Sequence, residues 1–552
     1  MIYFNDLKNY IINDPLSDWF EKINDKYQCY EKLDESSFEI ECKEKKKQYK
    51  IDFFNFLKEY NNYYFGINLD SDQMKVRLKD KVKGIFIRPE LHHSDYDILL
   101  KPDLIIHRDI FKEIFNLVDE DILDDLPEYI ITDILYQTIH FNADKTDLLN
   151  DLNLYYYKCK ILLCNESLNQ SEKSSDKSFK SLDTGYLFAK EYRYKENTLK
   201  KKECIGYFPF SDDMTIKIRE ALGWLDNLKE YYDEWLIYPL PTIKELYPNM
   251  NIKIGPWYKE KKLLAELIDE ITLVWNISYH KRCILHDKGI YKWSDPILLN
   301  NIYPYEIHDS KRELIQAKMI HMNKQTELKI SPRKIKSREF INHILNRDNS
   351  IILDIESVLK LDEKESYFTD KIQGDNPKIC IIGTILNSND VFKDFTIKYL
   401  SDEEEKKIII YWLSYLKKSL KIDKIKVYHW GNAEKVYLEY MMKKYPDLKY
   451  PQFELVDLLK YFKEEPITIQ GCFGYGLKEI VKQLYNHELI ENQWPDDTDG
   501  LEAMIQIMKT SEKAEKKKIP IKRYTEIKKI IYYNYMDCKV ITDILQMLEK
   551  MI

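Results

Sequence analysis

Asp354 and Glu356 stand two residues apart at the end of the apolar run SIILDIES. Side chains alternate along a strand, so an i, i+2 pair shares one face, with about 7 Å between the two positions. Two carboxylates placed in this way suit ligands around a pair of divalent ions, and hard oxygen donors favour Mg²⁺ or Mn²⁺. A solvated turn would carry the same pair, so the rest of the chain has to decide. Glu434 opens the helix expected after KIKVYHW, and Asp537 lies in the last expected helix, in YYNYMDCKV. Tyr533 precedes Asp537 by four residues, so phenol and carboxylate share a helix face. Asp457, in ELVDLLKYF, is a rival to Glu434 as third acid and is otherwise a cap or supporting acid.

The elements that must position these residues have a readable grammar. SIILDIES, ICIIGTIL, VFKDFTIKYL and KIKVYHW are β-branched runs and predict strands. SDEEEKKIIIYWLSYLKKSL predicts a helix, with Ser401 as N-cap and acids in its first turn. Three strands, a helix, a strand and then helices describe a mixed sheet flanked by helices, an α/β architecture. Upstream, GIFIRPEL, DILLKPDLIIHRDIF and EYIITDILYQTIHF predict a second strand-rich block. NESLNQSEKSSDKSFKSLD, 165–183, is polar and predicts an exposed insertion. The expected division is a helical lead-in over 1–80, a strand-rich domain over 81–200, a helical connecting segment over 201–338 and a C-terminal domain over 339–552.

Composition restricts the class. With 44% hydrophobic and 32% charged residues and only 14 Gly and 18 Pro in 552, the chain is neither a disordered tail nor a fibrous repeat. A net charge of −8 excludes a uniformly basic nucleic-acid coat but allows a local basic groove. Lys513, Lys516, Lys517, Lys518, Lys522 and Arg523 gather before the last predicted helix. Such a run is a solvated loop unless it borders the cleft, where it would attract phosphates. The nine cysteines form no CxxC pair, so no zinc ribbon or disulfide framework is expected, and a reducing compartment is. Acids interrupt the first apolar stretch and no apolar run reaches membrane-spanning length, so no secretory signal and no membrane association are expected.

Taken together, SIILDIES, VYHWGNAEKV, LVDLLKYFKEEPITIQGCFGYGLKEIV and YNYMDCKV resemble the RNase H-like exonuclease superfamily with four acidic ligands and a tyrosine, in its YprB-type branch. Counting the RecB-like half to which this branch is often fused, the resemblance covers roughly residues 84 to 550; its C-terminal part implies 3′ to 5′ phosphodiester hydrolysis with two Mg²⁺ or Mn²⁺ ions. Asp354, Glu356, Glu434 and Asp537 would be the ligands, and Tyr533 would orient the attacking water. The superfamily usually has Asp where Glu434 stands, which keeps Asp457 in contention. Lys478, in GYGLKEIV, would lie near the substrate strand or be a solvated helix-end lysine.

That branch is often fused to a RecB-like nuclease domain, and KPDLIIHRDIF with EYIITDILYQTI resembles the core of the PD-(D/E)XK nucleases. Asp103 and Asp133 would be its metal ligands, and a lysine would stand two residues beyond Asp133, where this chain has Leu135. A Gln and a Tyr four apart on the next helix would map onto Lys160 and Cys164, and both differ. These departures imply a degenerate domain that binds DNA; the alternative is an active RecB-like or lambda-exonuclease-like DNA nuclease in this half, with metal at Asp103 and Asp133 and Lys160 as the substitute lysine. Some RecB-like nucleases carry an iron–sulfur cluster, but Cys283 has no four-cysteine pattern around it, so none is expected, and His286 reads as structural. DNA is the expected partner, RNA being an open alternative. A helicase is a further expected partner if the chain is a silent binding subunit. The expected location is intracellular and cytoplasmic, or a viral factory, since related fused proteins occur in bacteria and giant DNA viruses.

Overall fold

Each of the β-branched runs named above becomes a strand in the computed structural model of the chain, which describes residues 2–60, 62–115, 126–172, 183–195, 197–199, 205–298, 310–358, 377–386, 390–421, 423–495 and 500–552. The chain is α/β and divides into two compact units. The first comprises Met1–Asp34 and Ile40–Leu264; the second comprises Glu35–Glu39, Ala265–Asp362 and Gln373–Ile552. No helix among the described residues is long and apolar enough to cross a membrane.

In the first unit the strands run across a mixed sheet in the order Gly206–Pro209, Thr184–Tyr194, Tyr129–His140, Leu104–His107, Gly84–Ile87 and Tyr64–Ile67. Tyr129–His140 lies antiparallel to Leu104–His107 and parallel to Thr184–Tyr194. The 1–80 stretch is no separate lead-in. Tyr49, Phe53 and Leu57 of the helix Ser37–Leu57 share one buried cluster with Ile85, Ile106 and Ile130, and Tyr64–Ile67 extends the sheet. A sheet needs a cover for its apolar face, and this helix supplies one.

The polar stretch expected as an insertion from 165 begins inside the helix Leu152–Glu172. Asn165 and Ser167 are buried there because their side chains donate to the carbonyls of Ile161 and Leu163 at 2.8 and 2.9 Å, as polar residues within a helix can. Residues 173–182 of that stretch lie outside the described residues.

The segment 201–338 is shared between the units rather than standing alone. Trp224 donates to Asp18 at 2.9 Å and Trp257 stacks on Phe20 at 5.6 Å, so these two aromatics are core of the first unit. Ile315 and Met319 belong instead to the apolar cluster that holds Ile352 and Ile541 in the second. The basic stretch before 338 is likewise tied down, with Ile330–Ser331 antiparallel to Thr468–Ile469.

The second unit is built on a five-stranded sheet in the order Val391–Thr396, Lys378–Leu386, Ser350–Val358, Lys424–His429 and Gln452–Asp457. The first three strands are antiparallel and the last two run parallel to the central one. Met536, Val540 and Ile541 of the long helix Thr525–Glu549 pack with Ile352 and Tyr428 in one core. A second core holds Leu353, Ile381 and Val427 against Ile408 and Trp412 of the helix Asp402–Ser419. Ser401 caps that helix, accepting from the Glu404 N–H at 3.2 Å. The central strand therefore alternates between two apolar layers, and Asp354 and Glu356 continue the face of Ile352 along its C-terminal half.

Candidate metal centre

Asp354 and Glu356 lie on the central strand Ser350–Val358, and a register irregularity follows directly after Glu356. The helix Thr525–Glu549 packs across this strand and brings Asp537 to the pair. Carboxylate oxygens of Asp354, Glu356 and Asp537 all lie within 4.8 Å of one another. Glu356 and Asp537 are only 8% and 9% exposed, so three like charges meet with little water between them. Burial pushes the Glu356 carboxyl up to about 8, with the charge of Asp537 adding to it. Burial also raises Asp537 to about 7, against the opposing pull of Lys478. Asp354 is held well above the carboxylate range by burial and then by Asp537, Glu356 and Glu434.

Glu434 stands in the first turn of the helix Ala433–Lys444, 8% exposed, outside the 4.8 Å set but close enough that its charge raises all three acids. Its Oε2 is buried without a hydrogen-bond partner, 3.6 Å from His429 Nδ1. Asp457 does other work. Its Oδ1 accepts from the Leu459 N–H at 3.0 Å and from the Gly431 N–H at 2.9 Å, so it caps a helix and pins the turn leading to Glu434. Of the two rivals for the third acid, Glu434 is the one left open toward the cluster.

Lys478 sits in the first turn of the helix Leu477–Asn486. Its ammonium lies 5.2 Å from the Tyr533 ring centre and 5.8 Å from that of Trp494. Tyr533, Trp494 and Lys478 thus cluster on the Asp537 side of the centre, and all three draw its pKa down against burial. Lys522 and Arg523, by contrast, lie in the turn Ile521–Arg523 before Thr525, and Lys522 pairs with Asp394 at 2.6 Å. Asp537 is twelve residues into the helix, about 18 Å along its axis, so Lys522 and Arg523 do not border the acids. Lys516 and Lys517 end the helix Gly500–Lys517 and Lys518 follows it in a left-handed conformation, φ 54°.

Asn534 and Trp494 are the neighbours that reading residue types missed. Asn534, fully buried, donates its amide N–H to Asp354 Oδ2. It fits because Gly383 pairs with Asp354 across the strands: a Cβ at 383 would stand 1.6 Å from Asn534 Oδ1. The only legible sign of this was a glycine inside the apolar run ICIIGTIL, where a glycine often marks a close approach. The oxygen-only donors, their crowding and the open Glu434 oxygen fit hard divalent ions.

Asp103 and Asp133 of the first unit are also brought together, but in different surroundings. Asp133 accepts from Lys160 through both carboxylate oxygens, at 3.0 and 2.8 Å, and from the Asp103 N–H at 2.9 Å. Asp103 Oδ2 accepts from Lys50 at 2.6 Å and from the Ile134 N–H at 2.9 Å. Leu135 is buried in the sheet opposite Ala189. Burial would lower the Lys160 pKa, yet the charges of Asp133 and Asp103 outweigh it and hold the ammonium charged. Three of the four carboxylate oxygens already accept from protein donors, so the pair does not fit a divalent ion. Comparison of the chain with protein-family models, with curated proteins and with solved structures finds no match.

Proposed function

We propose that the second unit is a metal-dependent phosphodiester hydrolase acting on DNA from a 3′ end. The observation that carries this reading is the crowding of the Asp354, Glu356 and Asp537 carboxylate oxygens within 4.8 Å of one another. Asp354, Glu356 and Asp537, with Glu434 as fourth ligand, would hold two Mg²⁺ or Mn²⁺ ions. When bound, the ions supply an activated water and charge to stabilise the leaving 3′ oxygen.

The chain's own residues do the rest. Asn534 fixes the Asp354 carboxylate, so a ligand is oriented before the substrate arrives. Tyr533, on the same helix face as Asp537, offers its phenol as hydrogen-bond partner to the attacking water. Lys478, held over the Tyr533 and Trp494 rings, places a positive charge for the phosphate of the incoming strand. The Trp494 ring offers a face on which a terminal base can stack.

The test is hydrolysis of 3′-labelled and 5′-labelled oligonucleotides with Mg²⁺ or Mn²⁺. A 3′-labelled strand should release mononucleotides first, and Asp354→Ala and Asp537→Ala should abolish the release. Activity that survives both substitutions would overturn the reading.

A further inference from the structure

The arrangement at Asp103 and Asp133 is more than a site lacking one lysine. Two buried carboxylates bring two negative charges, and two lysines from separate helices bring two positive ones: Lys50 from Ser37–Leu57 and Lys160 from Leu152–Glu172. Asp133 is fully buried and Lys160 is 13% exposed in its side chain, so this is an interior charge cluster rather than a surface pair. The backbone joins it, since the Asp103 and Ile134 N–H groups each donate to the opposite acid. We infer that Lys50 and Lys160 are built-in replacements for a divalent ion, so that the first unit takes no metal and performs its role with a self-neutralised centre.

The physical reason is competition for the same oxygens. A divalent ion between Asp103 and Asp133 would need Asp133 oxygens that Lys160 now holds from both sides. It would also have to displace a largely buried ammonium that, among the described residues, forms a salt bridge with no acid but Asp133. The position two residues beyond Asp133 stays apolar, as Leu135, because no water or phosphate has to be handled there. This inference is independent of the activity proposed for the second unit.

The experiment titrates Mn²⁺ into the full chain carrying Asp354→Ala, Glu356→Ala and Asp537→Ala, followed by calorimetry and by the paramagnetic resonance of free Mn²⁺. This background should bind no Mn²⁺ up to about 1 mM. Adding Lys50→Met and Lys160→Met should create one site at least about tenfold tighter than that limit, and a further Asp133→Asn should remove it. Lys160→Arg, which keeps the charge, should create none. The inference fails if the background binds Mn²⁺ below about 1 mM and loses it with Asp103→Asn or Asp133→Asn. It fails equally if the double methionine variant folds and gains no site. Circular dichroism checks folding. If the double variant does not fold, Lys160→Gln takes its place, and the unmodified first unit in the background still decides the case.

Discussion

Asp103 with Asp133 and Asp354 with Glu356 are two pairs of acids beside strands of mixed sheets, and the chain treats them in opposite ways. In the first unit the charge is matched from within, by Lys50 and Lys160 at 2.6 and 2.8 Å. In the second a third acid, Asp537, is added, Glu434 stands nearby, and Asp354, Glu356 and Asp537 are all pushed up. Burial forces a choice, because an unpaired interior charge is costly and must be neutralised by a proton, a side chain or a bound ion. The first unit has taken the side chain. The second is left with the proton or the ion, and that is what would distinguish a structural charge cluster from the proposed metal centre.

The comparison breaks most visibly in activity. Asp354→Ala should lower metal-dependent hydrolysis by about a thousandfold or more, since losing an ion's charge from the transition state costs several kcal/mol. Asp103→Asn should leave the rate per folded molecule unchanged. Gel assays of both variants decide it, and the reverse pattern would move the active centre to the first unit. Next in size is stability. Lys160→Ala leaves Asp133 buried and uncompensated and should cost about 3 to 5 kcal/mol, read as a lower unfolding midpoint of the first unit in urea. Asp354→Asn should instead stabilise the metal-free chain, because it relieves repulsion.

The same contrast predicts a pH dependence at the clustered acids of the second unit. Glu356 at about 8 and Asp537 at about 7 lie above their unfolded values, so the folded metal-free chain holds more protons than the unfolded chain between those limits. The stability they contribute is full below about pH 4 and is lost as pH rises through 7 to 8. Melting of the metal-free protein should therefore occur at lower temperature at pH 8 than at pH 5. Mn²⁺ should restore it at pH 8, and Asp354→Asn should flatten the slope. A smaller effect tests the packing behind the centre. Gly383→Ala drives a methyl into Asn534 and should cost about 1 to 3 kcal/mol, while weakening Mn²⁺ binding.

What the sequence carries well is whatever depends on period and spacing. The strand runs, the Ser401 cap, the Asp354 and Glu356 pair and the i, i+4 pairing of Tyr533 with Asp537 were all legible, because each depends on neighbours in the chain. Boundaries were less so, since Tyr49 and Phe53 join a sheet whose strands come later and a helical pattern does not say what it covers. Lys50 and Asp103 are 53 residues apart, and Asn534 and Asp354 are 180 apart. No local pattern marks such pairs. The choice between Glu434 and Asp457 turned on backbone N–H groups at Gly431 and Leu459, which a list of side chains does not contain.

The smallest expected effect bears on how charge is distributed within the second unit. Lysine density alone would place the nucleic-acid contact at Lys516 to Arg523, but Lys522 and Arg523 precede a helix, Thr525–Glu549, that reaches Asp537 only about 18 Å along its axis. Lys522 is in addition engaged by Asp394 at a largely exposed position, and such a pair contributes little. Lys522→Ala should therefore leave both the hydrolysis rate and the salt dependence of DNA binding unchanged. Lys478→Ala, with its ammonium over the Tyr533 ring, should raise KM and reduce the slope of log affinity against log salt by about 1, as loss of one phosphate contact does. If the slopes moved the other way round, the strand would follow the lysine-rich turn, and the aromatic and ammonium cluster beside Asp537 would be packing alone. One lysine in the right place would then count for less than a basic tract, against what the distances in this unit imply.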